Sequence, residues 1–285
     1  MRLTSRLAAG LALAAVAAVP ASASAVENGP APTVTSLRGI AGPYSLSRQV
    51  YADSATPGFG AGTVFAPSNG APGQTFGVVA FAPGFTETSS SVSWLAQRVA
   101  SYGFVTIAFN VNSTFTDLPA QRGTQLLAAL DFVRKSSAQK SLADGTRLAV
   151  SGHSMGGGGT LDASKARPSL KAAVGLEPWN TSTNWSSITV PSLELGAQSD
   201  IIAPVASHAI PFYKSIPATT PKSYVEFAGQ DHFYSNSPRA AVGAATIAWL
   251  KRYVDDDQRY TQFLTPTQPA LGANEVSSFA VNAVN

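Results

Sequence analysis

The chain has 285 residues, a formal net charge of +3, no cysteine and three histidines. This length suits one large α/β domain or two small ones. The lack of cysteine excludes thiolate zinc sites, covalent haem attachment and thiol catalysis, and three histidines argue against a multi-histidine metal centre. Lysine and arginine form no run interleaved with aromatic residues, so we expect no nucleic-acid partner. We also expect no metal and no other cofactor.

Residues 1–25 have the three parts of a secretory signal peptide. Two arginines make the start positive, residues 7–19 are mostly apolar, and Ala23-Ser24-Ala25 forms a cleavage site between small residues. A membrane anchor is the alternative, but it needs about 20 apolar residues. We therefore predict cleavage after Ala25, a secreted, extracellular protein and no insertion into a membrane. Cleavage would leave 17 basic and 16 acidic residues, so the formal charge would fall to +1.

Secondary structure is predicted from apolar runs for strands and from apolar residues spaced by three and four for helices. Residues 26–42 are rich in proline, alanine and glycine and are expected to be extended. In chain order there follow strands at 44–51, 60–67 and 76–82, a helix at 91–102, a strand at 104–109, a helix at 119–136, a strand at 147–151, a glycine-rich helix, strands at 171–176 and 192–196, a helix at 204–215, a strand at 222–227 and a helix at 238–253.

The alternation of strands and helices predicts a mostly parallel central sheet with helices on both faces. We find no internal repeat and no linker that would separate a second domain. Residues 26–285 are therefore predicted to form a single α/β domain, with a polar tail from about Asp255 onward.

The motif GHSMG at residues 152–156 has the G-x-S-x-G pattern, between a predicted strand and a predicted helix. In that context the serine lies on a sharp turn, with its Oγ exposed at the carboxyl edge of the sheet. The flanking glycines avoid Cβ atoms that would collide with the neighbouring strand and helix. We interpret Ser154 as a catalytic nucleophile; the alternative is an ordinary Gly-Ser turn.

A serine nucleophile needs a base to take its proton and an acid to orient that base. In α/β-hydrolases these partners follow the serine along the chain in the order acid, then histidine. Asp200 follows the predicted strand 192–196 and His232 follows the strand 222–227, so both should emerge at the same sheet edge as Ser154. The sequence thus predicts the triad Ser154–His232–Asp200.

Other histidines and acids are weaker candidates because of their predicted positions. They comprise His208 inside a predicted helix, His153 beside the serine and expected to line the cleft, Glu194 inside a strand, Asp231 on the loop of His232, and Asp255–Asp257, interpreted as a solvated charge run.

The oxyanion of a tetrahedral intermediate needs two N–H donors. One is expected from Met155, the residue after the serine, and the other from the loop PGFT at residues 83–86, where Phe85 is the favoured donor. The alternative interpretation of this loop is a turn that carries a core phenylalanine.

Several long segments resemble the actinobacterial-type cutinases and related polyester hydrolases, some of which hydrolyse poly(ethylene terephthalate). They include APGFTETSSSVSWLAQRVASYGFV, LAVSGHSMGGGGTL, SLELGAQSDIIAPVASHAIPFY and IAWLKRYVDDDQRYTQFL. The resemblance runs from about residue 42 to 264. It implies the α/β-hydrolase fold, the triad and oxyanion donors already named, and a substrate cleft lined by Phe85, Thr86, His153, Met155, Trp179 and Ile202.

This chain departs from the pattern of that family at several positions. Phe85 stands where tyrosine is usual, so a hydroxyl at the cleft is lost. The positions of a C-terminal disulfide fall at Thr265 and Ala283, and those of three calcium-binding acids at Gln198, Ala228 and Ser277. We therefore expect no calcium site of that kind. A disulfide is worth about 2–4 kcal/mol, so we expect less heat tolerance than in members that carry both features.

The connection between the strands predicted at 171–176 and 192–196 includes the residues from Glu177 to Val190. It is too short to form a helical lid over Ser154. An open groove flanked by Phe85, Met155, Trp179 and Ile202 suits a polyester chain, although Trp179 and Ile202 could instead belong to the core. We predict a monomeric, secreted serine esterase that hydrolyses polyesters and small esters. The alternatives are a lipase or esterase of soluble esters without polymer activity, and a binding module that has lost catalysis.

Overall fold

The computed structural model describes residues 25–265, 267 and 270–282. The predicted signal peptide lies outside these residues except for Ala25, and so does Ala283. The strands are β1 Leu46–Tyr51, β2 Gly62–Pro67, β3 Phe76–Ala82, β4 Phe104–Phe109, β5 Ala143–His153, β6 Ala172–Leu176, β7 Ser192–Ala197, β8 Lys222–Phe227 and β9 Val276–Asn282. The helices are α1 Val34–Arg38, α2 Ser90–Ser101, α3 Pro119–Lys135, α4 Met155–Ala166, α5 Ala209–Ser215 and α6 Ala240–Val254.

These strands form one sheet in the order β1-β2-β4-β3-β5-β6-β7-β8-β9. The strands from β3 to β8 pair in parallel, whereas β1, β2 and β9 pair antiparallel at the two edges. Every residue of β3, β4, β6, β7 and β8 is buried, as expected for strands covered on both faces. The prediction of a mostly parallel α/β sheet is confirmed.

Each face of the sheet carries its own apolar core. On one face, residues of α2 and α6 such as Leu95 and Ile247 pack in a cluster with Phe81. On the other face, Leu130 of α3 and Leu161 of α4 belong to a second cluster. The apolar residues spaced by three and four in these helices therefore face the sheet, and one layer of helices packs against each of its faces.

The C-terminal segment differs from the predicted polar tail. Strand β9 pairs antiparallel with β8, and a 3-10 helix covers Gln258–Phe263. The sequence pattern missed β9 because an edge strand is half exposed and does not need a continuous apolar run.

The prediction that Asp255–Asp257 are solvated is wrong for two of the three residues. Asp255 and Asp257 are 1% and 0% exposed. Asp255 accepts hydrogen bonds from Arg147 at 2.5 Å and from Lys251 at 2.6 Å. Buried charges of this kind are tolerated because each has an opposite charge as partner.

The helix predicted at 204–215 begins later, at Ala209, because residues 205–208 form turns. His208 therefore lies at the N-cap of α5 and not inside a helix. No helix in the described ranges is both long and apolar enough to cross a bilayer.

Candidate active site

Ser154 occupies the turn between β5 and α4 with φ 52° and ψ −117°. A side chain in this left-handed region is strained, so the surrounding structure must hold it there. The Ser154 N–H donates to the carbonyl of Leu176 at 2.9 Å, and the Ser154 carbonyl accepts from Gly158 and Trp179, both at 2.9 Å. These bonds fix the turn from both sides, in the strand–turn–helix context expected for a nucleophile elbow.

The glycines of this turn are required by close backbone contacts. A Cβ atom at Gly152 would lie 2.5 Å from the carbonyl carbon of Gly156, and one at Gly157 would lie 2.9 Å from the Gly152 carbonyl oxygen. A Cβ atom at Gly158 would overlap the carbonyl oxygen of Trp179. The cost of glycine in a helix, about 1 kcal/mol each, is therefore accepted so that α4 can press against the sheet and its loops.

The structure brings Ser154, His232 and Asp200 together as predicted. The distance between His232 Nε2 and Ser154 Oγ is 2.8 Å, and that between His232 Nδ1 and Asp200 Oδ2 is 2.7 Å. All three residues are buried, at 3–6% exposure. With Nδ1 donating to the carboxylate, His232 Nε2 is left to accept a proton from the serine hydroxyl.

The carboxylate of Asp200 is held ionised by its hydrogen bonds. Burial raises its pKa, but the bonds from His232 and from the N–H groups of Ala203 and Ile202 outweigh burial and keep the pKa below its usual range. These N–H groups donate to Oδ1 at 2.7 and 2.9 Å, while Oδ2 faces His232. Asp200 can therefore orient the imidazole with one oxygen because the backbone fixes the other.

The loop that follows β3 lies directly against Ser154. A Cβ atom at Gly84 would lie 3.0 Å from the Cβ of Ser154, so this glycine permits the approach. Within the described part of the chain, neither the Phe85 N–H nor the Met155 N–H donates a hydrogen bond. Both donors predicted for the oxyanion therefore remain available to a ligand.

A family model described as PET hydrolase-like matches residues 20–283. The chain belongs to this family.

Named relatives agree with that membership. The bis(hydroxyethyl) terephthalate hydrolase of Streptomyces coelicolor is 48% identical over 250 residues, which cover 87% of this chain and 80% of the relative. Cutinase cut1 of Thermobifida fusca is 48% identical over 269 residues, 93% of this chain and 83% of the relative. Cutinase 2 of Thermobifida cellulosilytica is 49% identical over 246 residues, 86% and 92%. The family resemblance seen in the sequence is confirmed, and with it the prediction of a carboxylic-ester hydrolase.

The apolar side chains predicted to line the family's cleft are partly exposed near the triad. Phe85 and Ile202 are each 47% exposed, and Trp179 and Met155 are half-buried. The Trp179 ring stacks on His208, with ring centroids 6.0 Å apart. Thr86 is exposed in a left-handed conformation, φ 61°, and its N–H donates to the carbonyl of Thr114.

Three further exposed apolar residues were missed by the sequence analysis. Phe115 is 73% exposed and packs edge-on against Phe85, while Ile201 and Phe233 follow Asp200 and His232 directly. Ile201 and Phe233 could have been predicted, because they are next to predicted site residues in the sequence. Phe115 could not, because it lies 30 residues from Phe85 and only the fold brings the two rings together. These three residues, Phe85 and Ile202 are exposed apolar residues that lie on the loops of Gly84, Asp200 and His232 or pack against them, and we call these five residues the rim.

His153 does not line the cleft as predicted. Its side chain is fully buried, with Nδ1 2.9 Å from Glu87 Oε2 and Nε2 2.7 Å from the carbonyl oxygen of His232. The prediction is wrong because the residue before the serine still belongs to β5 and points into the structure. His153 therefore packs behind the triad.

Asp231 and Glu194, the other acids considered as partners of the histidine, make no hydrogen bond to His232 among the described residues. Asp231 is exposed and accepts from the N–H of Phe233. Glu194 is buried within β7. Among the described residues, no group of three or more His, Cys, Asp or Glu could hold a metal ion. At two of the positions where the resemblance places calcium ligands, Gln198 accepts from the Gly229 N–H, and Ser277 of β9 donates to Glu226 of β8.

Proposed function

We propose that Ser154, His232 and Asp200 perform ester hydrolysis through an acyl-enzyme, and that polyesters are the substrates. The observation that carries the proposal is the unbroken hydrogen-bond chain from Ser154 Oγ through His232 to Asp200 Oδ2, with steps of 2.8 and 2.7 Å. Such a chain activates a hydroxyl that is otherwise a weak nucleophile.

The reaction would begin when Ser154 Oγ attacks the ester carbonyl and His232 Nε2 takes its proton. The oxyanion that forms would accept hydrogen bonds from the N–H groups of Phe85 and Met155. His232 then gives its proton to the leaving alcohol, and the acyl group stays on Ser154. A water molecule then attacks the acyl carbon while His232 Nε2 takes its proton, and His232 returns this proton to Ser154 Oγ as the acid is released.

The surroundings of the triad support a polymeric substrate. The rim presents apolar and aromatic side chains to solvent, and the connection between β6 and β7 contains no helix that could cover Ser154. An exposed apolar surface of this kind is typical of a binding site for an extended apolar partner. Two of the relatives are named as a cutinase and as a hydrolase of a terephthalate ester, and these names favour cutin-like and terephthalate esters as the substrate class here.

Replacement of Ser154 by alanine tests the nucleophile. We expect hydrolysis of p-nitrophenyl butyrate to fall at least about 1,000-fold, because triad removal leaves only oxyanion and binding contributions. The matched control is Ser151→Ala, also in this segment, whose buried Oγ has no hydrogen-bond partner among the described residues. Substantial residual turnover in Ser154→Ala would contradict the assignment.

The substrate class is tested by comparing products. The wild-type protein should clear an aliphatic polyester emulsion and release soluble acids from a terephthalate polyester film. Hydrolysis of tributyrin without release from either polymer would favour the alternative of a lipase or esterase of soluble esters.

Secretion is proposed from the pattern of residues 1–25 alone. Expression of the full chain in a bacterium with a general secretory pathway should give a protein in the medium whose N-terminal residue is Val26. An intracellular protein that keeps residues 1–25 would contradict this proposal.

A further inference from the structure

The carboxylate of Glu87, beside the candidate site, has no role in the proposed mechanism. Glu87 lies between the oxyanion loop and α2, and its side chain is only 13% exposed. Its Oε2 accepts from the Gly84 N–H at 2.7 Å and from Ser91 Oγ at 2.9 Å, and lies 2.9 Å from His153 Nδ1. Its Oε1 accepts from Asn236 Nδ2 at 2.6 Å. Four donors therefore converge on one carboxylate.

Three of these donors belong to different parts of the active site. Gly84 precedes the oxyanion donor Phe85, and His153 precedes Ser154. Asn236 lies four residues after His232, on the same loop. Glu87 therefore connects the loop after β3, the end of β5 and the loop after β8. These three segments are far apart in the sequence.

His153 extends this connection to the catalytic base. Its Nδ1 faces Glu87, and its Nε2 lies 2.7 Å from the backbone carbonyl oxygen of His232. A neutral imidazole has one N–H, so it can donate to only one of these acceptors; the imidazolium donates to both. Because the ring nitrogens of His153 face one acceptor each, the protonated imidazolium form of His153 fits this site best.

The charges agree with this geometry. Burial raises the pKa of Glu87, but the hydrogen bond and the charge of His153 outweigh it and bring the pKa to about 2. Burial lowers the pKa of His153, yet the bond and charge of Glu87 leave it raised. Glu177 also raises the pKa of His153, but its Oε2 lies farther away, 3.8 Å from His153 Nε2, and burial raises the pKa of Glu177 itself to about 8. Glu87 is thus the carboxylate that pairs with His153.

We propose that Glu87 is a positioning residue that, together with His153, fixes the oxyanion loop and the His232 loop against the Ser154 turn. This proposal rests on the proposed function of the triad. Glu87 does not touch the reacting atoms; it acts through Gly84, His153 and Asn236. A displacement of about 1 Å in a catalytic group can cost 100-fold in rate, so a loss of these contacts should act on turnover more than on binding.

The test is Glu87→Gln, which keeps the shape and removes the charge. A glutamine amide has one oxygen to accept with, whereas the carboxylate serves donors with both of its oxygens. We expect kcat for p-nitrophenyl butyrate to fall about 10- to 100-fold while KM stays within about twofold. The rate constant of inactivation by a p-nitrophenyl phosphonate ester, which phosphonylates the activated serine, should fall by a similar factor.

The matched control is Glu275→Gln. Glu275 also accepts the N–H of the residue three positions earlier, Gly272, at 2.6 Å, and also pairs with a cation, Arg38, at 2.8 Å. It lies outside the candidate site, so Glu275→Gln should lower the melting temperature without lowering kcat. A kcat of Glu87→Gln within twofold of wild type, or equal losses of kcat in both variants, would overturn the proposal.

A second variant guards against a failure of Glu87→Gln to fold. Asn236→Ala removes the donor to Oε1 and leaves the charges of Glu87 and His153 in place. We expect a smaller loss of kcat, about 3- to 10-fold, again with little change in KM. An unchanged kcat here would overturn the part of the proposal that concerns the His232 loop. The proposed function is tested separately by Ser154→Ala, because the wild type must hydrolyse the ester whether or not Glu87 positions the loops.

Discussion

Replacing Glu194 by glutamine should raise the free energy of unfolding relative to that of wild type, and this difference should be larger at pH 8 than at pH 5. Glu194 lies in β7 and is 1% exposed, and its Oε2 has no hydrogen-bond partner among the described residues. Burial without a partner raises the pKa of this carboxyl from 4.5 to about 8. The fold therefore keeps Glu194 protonated at neutral pH.

The sign follows from proton binding in the two states. Between pH 4.5 and about 8 the unfolded chain loses the Glu194 proton while the folded chain retains it. Stability of the wild type therefore falls as pH rises through this window. At about 1.4 kcal/mol per pH unit, the part of this loss between pH 5 and 8 is about 3 kcal/mol. Glutamine does not titrate, so the free energy of unfolding of the variant should gain about 3 kcal/mol on that of wild type over this range.

Urea unfolding followed by tryptophan fluorescence, at pH 5, 6, 7 and 8, measures this gap. A difference of 3 kcal/mol corresponds to about 6–12 °C in melting temperature for a chain of this size. Glu177 has a pKa similarly raised to about 8, but it is present in both proteins and cancels in the difference. Glu275→Gln serves as control because the pKa of Glu275 is lowered by its bond to Arg38, so its gap should not grow above pH 5. A gap between Glu194→Gln and wild type that does not change with pH would refute the reasoning.

Two further substitutions probe the packing and charge arguments. Gly158→Ala should prevent accumulation of soluble, active protein because the Cβ would overlap a carbonyl oxygen. In the control Gly145→Ala the new Cβ would lie 3.6 Å from its nearest neighbour, so this variant should fold and remain active. Soluble yield and esterase activity measure both variants, and normal activity in Gly158→Ala would contradict the packing argument. Asp255→Asn should lower the free energy of unfolding by about 3–5 kcal/mol because it leaves buried Lys251 without its partner. Asp256→Asn, at a side chain 51% exposed, should cost less than about 1 kcal/mol, and equal losses in urea unfolding would refute the distinction.

Predictions from the sequence were closest where a strand is buried on both faces. The bounds of β3, β4 and β8 agree with the predicted 76–82, 104–109 and 222–227. Strands β3 and β4 are nearly continuous apolar runs between polar or glycine-containing turns, so the pattern marks both of their ends. Strand β8, KSYVEF, instead mixes apolar and polar residues, all of which are buried. The late start of α5 and the missed β9 lie at the surface, where either structure satisfies the same mixture of polar and apolar residues.

The placement of the triad side chains was also predictable. Ser154, Asp200 and His232 each follow a strand of the parallel sheet, and parallel strands bring their carboxyl ends to one edge. Their juxtaposition therefore follows from strand order, without knowledge of any side-chain contact. His153 shows where this reasoning stops, since one residue closer to the strand the side chain points into the core.

The contacts that only the tertiary structure reveals join residues distant in the chain. Arg147 reaches Asp255 across 108 positions, and Asn236 reaches Glu87 across 149. The sequence shows such residues as isolated polar side chains, which are solvated in most proteins, because no local pattern records a partner so far away. The sequence by itself determined the parallel part of the sheet, the turn at Ser154 and the residues proposed as the triad. The tertiary structure decided which remaining charges are buried and paired, since burial of a charge depends on neighbours that only folding supplies.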